Sequence, residues 1–598
     1  MSETAATRRV SKWLSVFGQA LKRGDVESAA AMFAQESYWR DLLAFTWNIK
    51  TAEGRAAIAT MLESTLASAR PDNWELAGEA SEADGMTEGW FVFETEAARG
   101  HGHLRLKGDK CWTLLTAMTE LKGHEEKSGP TREKGVEHGS VKRRRTWLDR
   151  KTAEEAELGH KRQPYCLIVG GGQAGIGLGA RLKRLGVPTL IVDKHERPGD
   201  QWRKRYKSLC LHDPVWYDHM PYLPFPEHWP VFSPKDKIGD WLEMYTKIME
   251  LNYWPSTECK SASYDEKRQQ WTVKVKRGTR TITLKPKQLI LATGMSGVPN
   301  LPKFPGARRF KGVQHHSSQH PGGEAYKGKK CVVIGSNNSA HDICADLWEN
   351  GADVTMVQRS STHVARSDTL MELGLGALYS EAAVKAGITT DKADMIFASI
   401  PYALLAGFQV PVYKEIAKRD ADFYRRLEKA GFIHDWGDDD SGLFMKYLRR
   451  GSGYYIDVGA SDLIAEGKIK LKSGVEVTQI TEKGVRLSDE SELPADLIVY
   501  ATGYGSMNGW AAKLISAEVA AKVGKCWGLG SSTKKDPGPW EGELRNMWKP
   551  TRQEALWFHG GNLHQSRHYS KYLALQIKAR LENVATPVYG LPEAHHVS

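Results

Sequence analysis

The sequence contains seven cysteines but no Cys-x-x-Cys pair. They are widely scattered, at Cys111, Cys166, Cys210, Cys259, Cys331, Cys344 and Cys526. This spacing argues against a disulfide framework, a zinc ribbon and a dithiol redox centre, and no metal site is predicted. No apolar run approaches the roughly 20 residues of a membrane-spanning helix. The polar opening, residues 1–10, shows no secretory signal, so we expect a cytoplasmic protein.

A strong excess of one charge is also missing. The 598 residues carry 83 Lys and Arg against 72 Asp and Glu, a net charge of +11, with a mean hydropathy of −0.48. With 26% charged and 41% hydrophobic residues, this composition is typical of a soluble globular protein. A basic run at residues 142–145 lies inside a charged segment. A solvated linker or helix face explains it, and no nucleic-acid partner is predicted.

The chain divides into three zones by pattern. Residues 1–121 begin with helix-like spacing and continue with alternating, strand-like runs, which indicates an α+β unit. Residues 122–162 are polar and charged, so they are predicted to form a linker with room for a helix in its second half. Everything after residue 162 has the pattern of an α/β protein.

A dinucleotide-binding motif opens the third zone. The apolar run 165–169 leads directly into a turn with Gly170, Gly172 and Gly175, and a helix and a second apolar run follow. The three glycines permit a tight turn, a close approach to a pyrophosphate and close packing of helix and strand. The helix start favours the diphosphate anion. Asp193, 18 residues past Gly175, is placed to accept a hydrogen bond from an adenosine ribose. We assign FAD to this motif.

A second motif follows the apolar run 330–334. Its turn begins at Gly335 and has Asn337 and Ala340 at the other two positions, a weaker match than the first. The next strand ends in Arg359 and Ser360 rather than in an acid. A guanidinium and hydroxyls suit a 2′-phosphate, so this motif predicts NADPH.

Two further strands end alike, in Ala-Thr-Gly. One is residues 289–294 and the other residues 497–503. Small residues at a strand end let the backbone approach a dinucleotide closely, and we predict contacts by Thr293, Thr502 and Gly503.

Residues 310–320, Phe-Lys-Gly-Val-Gln-His-His-Ser-Ser-Gln-His, lie between these motifs. They resemble the fingerprint of the class B flavin-dependent monooxygenases, and together with the motifs the resemblance covers about residues 164–581. Residues 199–203 resemble the Gly-x-x-Trp segment of that family that contacts the flavin, and residues 558–561 its last flavin-domain segment. Residues 13–121 resemble the SnoaL-like cone, in which a curved sheet wraps a pocket.

The sequence also departs from the family pattern. The fingerprint ends in His320, where members that oxidise nitrogen or sulfur usually carry Tyr or Phe and Baeyer–Villiger members carry Trp. The segment that Baeyer–Villiger members have after the position of Trp202 is missing. Residues 206–214 are similar to the Leu-x-Leu-His stretch of YUCCA-type members. The asparagine that many amine-oxidising members place there is absent, so its role is not transferred.

The resemblance implies a fold and a reaction. The fold is α/β, with two Rossmann-like dinucleotide-binding domains for FAD and NADPH behind an α+β SnoaL-like cone. NADPH would reduce FAD, and O2 would then form a C4a-(hydro)peroxyflavin. One oxygen atom would pass to a small organic substrate, either at a nitrogen or sulfur atom or at the carbonyl group of a carbonyl compound or 2-oxo acid. The alternatives are a flavoprotein NADPH oxidase or reductase, among them a disulfide reductase that would need the missing dithiol, and a non-catalytic flavin-binding association module.

The resemblance and the motifs together assign site residues. His316 is the candidate catalytic residue, with a hinge contact between the nucleotide domains as the alternative. The predicted cofactor contacts are Gly170, Gly172, Gln173, Ala174, Gly175, Asp193, Lys194, Gln201, Trp202, Arg203, Leu209, His212, Thr293, Gly335, Ser336, Asn337, Asn338, Ser339, Arg359, Ser360, Thr502, Gly503 and Gly561.

These assignments define domain boundaries. The predicted order is a SnoaL-like domain (1–121), a charged linker (122–162), the first part of the FAD-binding domain (163–324), an NADPH-binding domain with a helical insertion (325–484) and the second part of the FAD-binding domain (485–598). The aromatic residues at 371–455 predict helical core or an interface, with a substrate passage as the alternative. A homo-oligomer through the N-terminal domain is also expected.

Overall fold

The computed structural model describes residues 4–295 and 298–594. The N-terminal unit consists of helices followed by a seven-stranded sheet of order β2-β1-β7-β6-β5-β3, with β4 paired to β5. All pairs are antiparallel except β1 with β7. The elements are α1 Ala5–Lys22, α2 Val26–Ala31, β1 Phe33–Leu42, β2 Ile49–Glu53, α3 Gly54–Ala69, β3 Asp72–Leu76, β4 Ser81–Ala83, β5 Met86–Glu94, β6 Ala98–Lys107 and β7 Lys110–Leu121.

Aromatic rings of the domain itself fill the space between this sheet and its helices. Trp39 is fully buried and stacks on Phe33 with ring centroids 5.8 Å apart. A Cβ placed at Gly100 would lie 2.2 Å from the ring of Phe93, so the sheet needs a glycine there to admit the ring. The interior of the N-terminal unit is therefore a packed core. Its membership of the SnoaL-like family stays a prediction.

The next part of the chain builds the first parallel sheet. After the linker helix α4 Trp147–Glu157, the elements are β8 Cys166–Val169, α5 Gln173–Arg184, β9 Thr189–Val192, α6 Asp200–Arg203, α7 Lys235–Ile248, β10 Tyr253–Trp254, β11 Thr257–Asp265, β12 Gln270–Arg277, β13 Arg280–Leu284 and β14 Gln288–Leu291. Strands β11, β12 and β13 form a separate antiparallel sheet.

The second parallel sheet carries a large helical insertion. Its segment contains β15 Val313–His316, β16 Lys330–Ile334, α8 Asn338–Glu349, β17 Asp353–Gln358, β18 His363–Arg366, α9 Ser367–Leu370, α10 Glu381–Lys385, α11 Thr390–Ala398, α12 Tyr402–Arg419, α13 Ala421–Lys429, α14 Gly442–Arg450, β19 Tyr454–Asp457, α15 Ala460–Ala465, β20 Lys470–Ser473, β21 Val477–Ile480, β22 Gly484–Leu487, β23 Glu492–Pro494 and β24 Leu497–Tyr500. The remaining elements are α16 Asn508–Leu514, α17 Ala517–Val523, β25 Leu556–Phe558 and α18 Leu563–Leu581.

Both parallel sheets have five strands, in the orders β10-β9-β8-β14-β25 and β15-β24-β16-β17-β20. All their strand pairs run parallel. The first strand of each βαβ unit, β8 or β16, lies inside its sheet and leads into a helix, the arrangement of doubly wound nucleotide-binding folds. The predicted α/β class with two such domains is confirmed.

Strand pairing places two strands outside the range predicted for their domain. β15 and β24 belong to the second sheet, although 325–484 was the range predicted for the NADPH-binding domain. A parallel sheet is assembled by crossovers, so a strand far along the chain can pair in its middle. The second sheet therefore closes only at Tyr500, and β25 and α18 return to the first sheet.

Among the described residues, no single helix is long and apolar enough to cross a membrane. The pair α11 and α12 reaches that length and composition only together, across a bend of 108°.

A buried ion pair fastens the N-terminal unit to the rest of the chain. Arg40 on β1 donates from Nε and Nη2 to the two carboxylate oxygens of Glu543, at 2.6 and 2.8 Å. Its remaining donors reach the carbonyl of Ala398 and the hydroxyl of Tyr569. Thr51 donates to Glu543 as well, at 2.8 Å. Arg40 and Glu543 are almost fully buried, so neither charge has water as an alternative partner.

Removing one side of this pair should strongly destabilise the protein. Arg40→Met leaves the Glu543 carboxylate buried without a cation, which costs about 3–5 kcal/mol, whereas the double change to Met at both positions should recover most of the loss. The matched control is Lys22→Met, at an exposed pair with Asp72, where about 0–1 kcal/mol is expected. Thermal unfolding followed by circular dichroism measures all three. Equal melting temperatures for Arg40→Met and the native protein would contradict the assignment.

Candidate active site between two nucleotide-binding turns

The first glycine turn is pressed against the neighbouring strand end. Gly170 has φ +110°, and a Cβ there would lie 2.3 Å from the carbonyl oxygen of Ala292, at the end of β14. A Cβ at Gly175 would lie 1.9 Å from the carbonyl oxygen of Gly170. Both distances are far below van der Waals contact, so only glycine fits. The turn therefore packs directly on the first Ala-Thr-Gly strand end.

Beyond this turn, α5 begins with free backbone donors. Gly172 is the N-cap and makes no side-chain capping bond, so the first N–H groups are available to an anion. The carboxylate of Asp193 accepts the N–H of Gly171 at 2.7 Å and that of His195 at 2.7 Å. This anchors the acid at the end of β9 beside the turn, as predicted for a ribose contact.

The α6 segment covers the same turn. Gln201 has a buried amide nitrogen without a partner, 3.2 Å from where a Cβ on Gly172 would stand. The Trp202 indole donates to Gln173 at 3.3 Å. A free buried donor beside a glycine cradle fits a bound diphosphate or flavin.

Arg203 does not fit its predicted cofactor role. Its five N–H donors are taken by the carbonyl of Pro198 and by three carboxylates, those of Asp200, Asp240 and Glu243. A guanidinium has five donors, so none is left for a cofactor. Arg203 instead ties α6 to α7, and the sequence did not show these acceptors because Asp240 and Glu243 lie a helix away.

The second turn repeats the geometry of the first. Gly335 has φ +130°, and a Cβ there would lie 2.3 Å from the carbonyl oxygen of Ala501, in the second Ala-Thr-Gly segment. The hydroxyl of Ser336 is hydrogen-bonded to Thr362 at 2.8 Å. Asn337 is the N-cap of α8 and makes no side-chain capping bond. The start of α8 can therefore receive a second diphosphate.

A cavity of about 710 Å³ lies over this second turn. Gly335, Ser336, Asn337, Arg359, Ser360, Thr502 and Gly503 line it, so seven predicted NADPH contacts are brought together there. Four other cations line the same cavity, Arg449, Arg450, Lys525 and Lys535.

Three of the five cations that line this cavity are free to bind an anion. Arg449 and Arg450 are held by Asp439 and Asp438. Within the described part of the chain, no carboxylate lies at ion-pair distance from Arg359, Lys525 or Lys535. Partial desolvation and the charges of Arg450 and Arg359 lower the pKa of Lys535. A phosphate would relieve this repulsion, and no sequence signal placed Lys535 near the motif.

A second cavity, of about 270 Å³, lies between the two nucleotide-binding halves. The flavin half contributes Trp202, Arg205, Tyr206, residues 209–213 and Tyr217, and the NADPH half contributes Asn338, Ser339 and Asp342 at the start of α8. The helical insertion and the start of α18 close it, with Leu443, Phe444, Tyr447, Tyr454, Ile456 and Asn562. We name this space the central cavity. Leu209 and His212, both predicted contacts, also line it.

Acids and tyrosines line the central cavity. Burial raises the pKa of Asp213 to about 6, against the lowering effect of His212. The Tyr206 hydroxyl donates to Asp342 at 2.6 Å, and His212 lies 3.5 Å from the same carboxylate. Asn562 donates to the Tyr217 hydroxyl at 3.1 Å. Asp213 thus titrates closer to neutral pH than an ordinary aspartate, and the sequence analysis did not single it out.

His316 is placed outside the central cavity. Its Nδ1 accepts the N–H of Ser318 at 3.2 Å, and its Nε2 lies 3.0 Å from the carbonyl oxygen of Gly503. Burial lowers its pKa, which favours the neutral ring. With both nitrogens engaged and no contact to the cavity, His316 joins the fingerprint to the end of β24. The geometry supports the hinge alternative rather than the catalytic prediction.

The remaining predicted contacts flank the two turns. Thr293 ends in a buried hydroxyl without a partner. Gly561 has φ +102° and precedes Asn562, the N-cap of α18. Ala174 is buried in the first turn of α5, and Lys194 follows Asp193. These cofactor contacts stay predictions. Among the aromatic residues of the insertion, Phe444 and Tyr447 line the central cavity. The Tyr402 hydroxyl is instead hydrogen-bonded to the Tyr569 hydroxyl in the core.

Comparison with known proteins adds three findings. A family described as pyridine nucleotide-disulphide oxidoreductase matches residues 167–399. The indole-3-pyruvate monooxygenase YUCCA1 of Oryza sativa subsp. japonica is 30% identical over 382 residues, which are 63% of this chain and 86% of the relative. A probable indole-3-pyruvate monooxygenase of Arabidopsis thaliana, also YUCCA1, is 29% identical over 57% of this chain and 75% of its own length.

A solved flavin-containing monooxygenase from Stenotrophomonas maltophilia superposes with a TM-score of 0.45 at 18% identity, covering 70% of this chain and 99% of that one. All seven cysteines are free in the described chain.

Loss of the Lys535 ammonium group should weaken the binding of NADPH more than the binding of NADH. Lys535→Ala removes one of the three free cations, so we expect the KM for NADPH to rise about tenfold, while the KM for NADH stays within about twofold. Lys534→Ala, the neighbouring lysine, is the control. Steady-state nucleotide oxidation measures both constants. A parallel rise for the two nucleotides would show that Lys535 does not recognise a 2′-phosphate.

Asp213→Asn should change stability in a pH-dependent way. A carboxyl whose folded pKa is raised from 3.8 to about 6 contributes stability below pH 4, and this stability is lost as the pH rises through 6. The amide avoids that loss, so the variant should be more stable than the native protein at pH 8, by up to about 2 kcal/mol, and not at pH 4. Melting temperatures at both pH values test this, with the exposed Asp109→Asn as control. A constant difference across the range would argue against a raised pKa.

Proposed function

The chain belongs to the class B flavin-dependent monooxygenases, and from this premise we propose that it oxidises an aromatic 2-oxo acid. The enzyme is an NADPH- and O2-dependent flavin monooxygenase, and its cofactors are FAD and NADPH. One observation carries the finer proposal: residues of the flavin half and the start of α8 face each other across one cavity. The two nucleotides can therefore meet where a substrate can enter.

The residues present fit both cofactors. For FAD, the cradle of Gly170 and Gly175 excludes any side chain, and free donors remain on Gln201 and Thr293. For NADPH, Gly335 forms the matching cradle, and free cations surround the far end of its cavity. When bound, the flavin accepts a hydride from NADPH and activates O2 for transfer of one oxygen atom.

The protein's own residues position the reactants and exclude water. The starts of α5 and α8 hold the two diphosphates through backbone N–H groups. Asn338 and Ser339 lie where α8 passes from the NADPH cavity to the central cavity, so they are placed to orient the nicotinamide end. The rings of Phe444, Tyr447 and Tyr454 close the space against bulk water.

The lining of the central cavity suits an aromatic acid. Arg205 lines it and has a buried Nε without a partner, a donor suited to a carboxylate. Trp202, Tyr217 and Phe444 supply aromatic faces nearby. Asp213 can hold a proton at its carboxyl oxygen near neutral pH. Two relatives are named for indole-3-pyruvate, a substrate of this class.

The proposed reaction balances without a further reactant. A 2-oxo acid, O2, NADPH and one proton give the acid shorter by one carbon, CO2, NADP+ and water. One oxygen atom enters the new carboxylate as the bond between the carbonyl and carboxyl carbons breaks. The hydride of NADPH, which supplies two electrons and one hydrogen, and the one proton leave with the other oxygen atom as water.

Indole-3-pyruvate should accelerate NADPH oxidation by the FAD-loaded enzyme in air. We expect one CO2 for each NADPH and one 18O atom in the product acid when 18O2 is supplied. Arg205→Met should raise the KM for the 2-oxo acid about tenfold and leave the KM for NADPH unchanged. Arg205→Lys should have a KM for the 2-oxo acid between those of the native protein and Arg205→Met. Acceleration by amines or thioethers but not by 2-oxo acids would refute the substrate class.

A further inference from the structure

A third cavity, of about 600 Å³, lies where the N-terminal sheet meets the flavin half. Its walls come from four parts of the chain, namely the N-terminal unit, α5, the insertion helix α11 and α18. The lining residues that carry the argument are Trp90, His101, Arg181, His568, Lys571 and Tyr572. We name it the interdomain cavity. It shares no lining residue with the central cavity.

Charged groups face this cavity from three helices. Arg567 and Asp394 neutralise each other through two hydrogen bonds of 2.7 and 2.8 Å. The remaining charged lining residues are three cations, Arg181, Lys392 and Lys571, against one carboxylate, Asp391. The cavity therefore has an excess of positive charge.

Lys571 and Arg181 can each present an N–H donor to an anion in this cavity. In the described chain no carboxylate lies at ion-pair distance from Lys571, which reaches into the cavity from α18. Arg181 stacks over the Tyr222 ring at 4.7 Å and keeps a buried Nε without a partner. Burial and the charge of Arg181 lower the pKa of Lys571 to about 8, outweighing Asp391, Glu126 and Glu120, which raise it. The nearby carboxylates therefore do not fully compensate the burial of Lys571 and the charge of Arg181.

A neutral polar atom adds a further binding group. His568 is 8% exposed, and its Nε2 has no hydrogen-bond partner. Burial lowers the pKa of His568 to about 3, so its ring is neutral at physiological pH. Burial and the nearby charge of Lys571 also lower the pKa of His101. An unpaired buried nitrogen costs free energy unless a ligand or water bonds to it.

The other walls are aromatic and apolar. Trp90 packs beside His101 with ring centroids 5.2 Å apart. Tyr572 packs edge-on against His568, and its hydroxyl is directed to the sulfur of Met395 at 3.6 Å. Small-molecule sites combine such apolar walls with a few convergent polar groups, at volumes of about 300–1,000 Å³.

We propose that the interdomain cavity binds a small aromatic carboxylate, with the carboxylate on Lys571 and Arg181 and the ring against Trp90 and Tyr572. The N-terminal unit supplies one wall, which gives this extra domain a role in ligand binding. The site is distinct from the central cavity: Asn562 and Lys571 lie nine residues apart, about 14 Å along α18.

Chemical footprinting tests the site in the native holoenzyme. Acetylation of Lys571 by sulfo-NHS-acetate is followed by mass spectrometry, with benzoate as the probe and benzamide as its uncharged analogue. Benzoate should reduce the acetylation rate of Lys571 about fivefold or more, while benzamide and the exposed control Lys385 show no change. Equal acetylation of Lys571 with and without benzoate overturns the proposal.

Calorimetric titration with benzoate provides an independent test with variants. Lys571→Met should weaken binding about tenfold, Lys571→Arg should bind within about threefold of the native protein, and Lys385→Met should bind normally. Arg205→Met, in the central cavity, should remove only benzoate bound at that cavity and should leave the binding component that Lys571→Met weakens, so this component does not depend on the proposed substrate. Native affinity in a folded, flavin-loaded Lys571→Met protein, or binding abolished by Arg205→Met, places the anion elsewhere and overturns the proposal.

Discussion

Two carbonyl oxygens, those of Ala292 and Ala501, stand so close to the glycine turns that any side chain at Gly170 or Gly335 would overlap them. This steric constraint joins each βαβ unit to the end of a strand that arrives from much later in the chain. As a result, each nucleotide turn lies at the carboxyl edge of its sheet, where α5 and α8 begin. The central cavity lies where the start of α8 faces Trp202 and the segment that follows Trp202 in the flavin half.

The N-terminal unit is held to this frame by charge rather than by a flexible tether alone. Arg40 reaches Glu543 and Tyr569, which belong to the last part of the chain. Its interior is packed with its own aromatic rings, so a ligand space arises at its surface, where it meets α18. The N-terminal unit thus forms one wall of the interdomain cavity and does not enclose a ligand in its own interior.

Committed and uncommitted polar groups separate structural residues from functional candidates in this protein. Arg203 and His316 have every donor or ring nitrogen engaged, and both hold segments together. Arg205 keeps a buried donor and opens onto a cavity, and Lys535 and Lys571 have no carboxylate partner within the described chain. Unsatisfied buried polar groups are costly, so those that open onto a cavity mark candidate binding sites.

Local patterns in the sequence were sufficient for the two nucleotide-binding units, because the strand, glycine turn and helix are contiguous and the glycines are required by backbone sterics. The same holds for the positions of Asp193 and Arg359. Asp193 follows β9, the strand next to β8, and Arg359 follows β17, the strand next to β16. The sequence did not indicate that β24 lies inside the second sheet, between β15 and β16, or that all donors of Arg203 are engaged by protein acceptors. It also did not indicate that Asp213, Lys535 and Lys571 face cavities. Those features depend on contacts between residues far apart in the chain, and burial, pairing and charge compensation between them arise only when the tertiary structure brings them together.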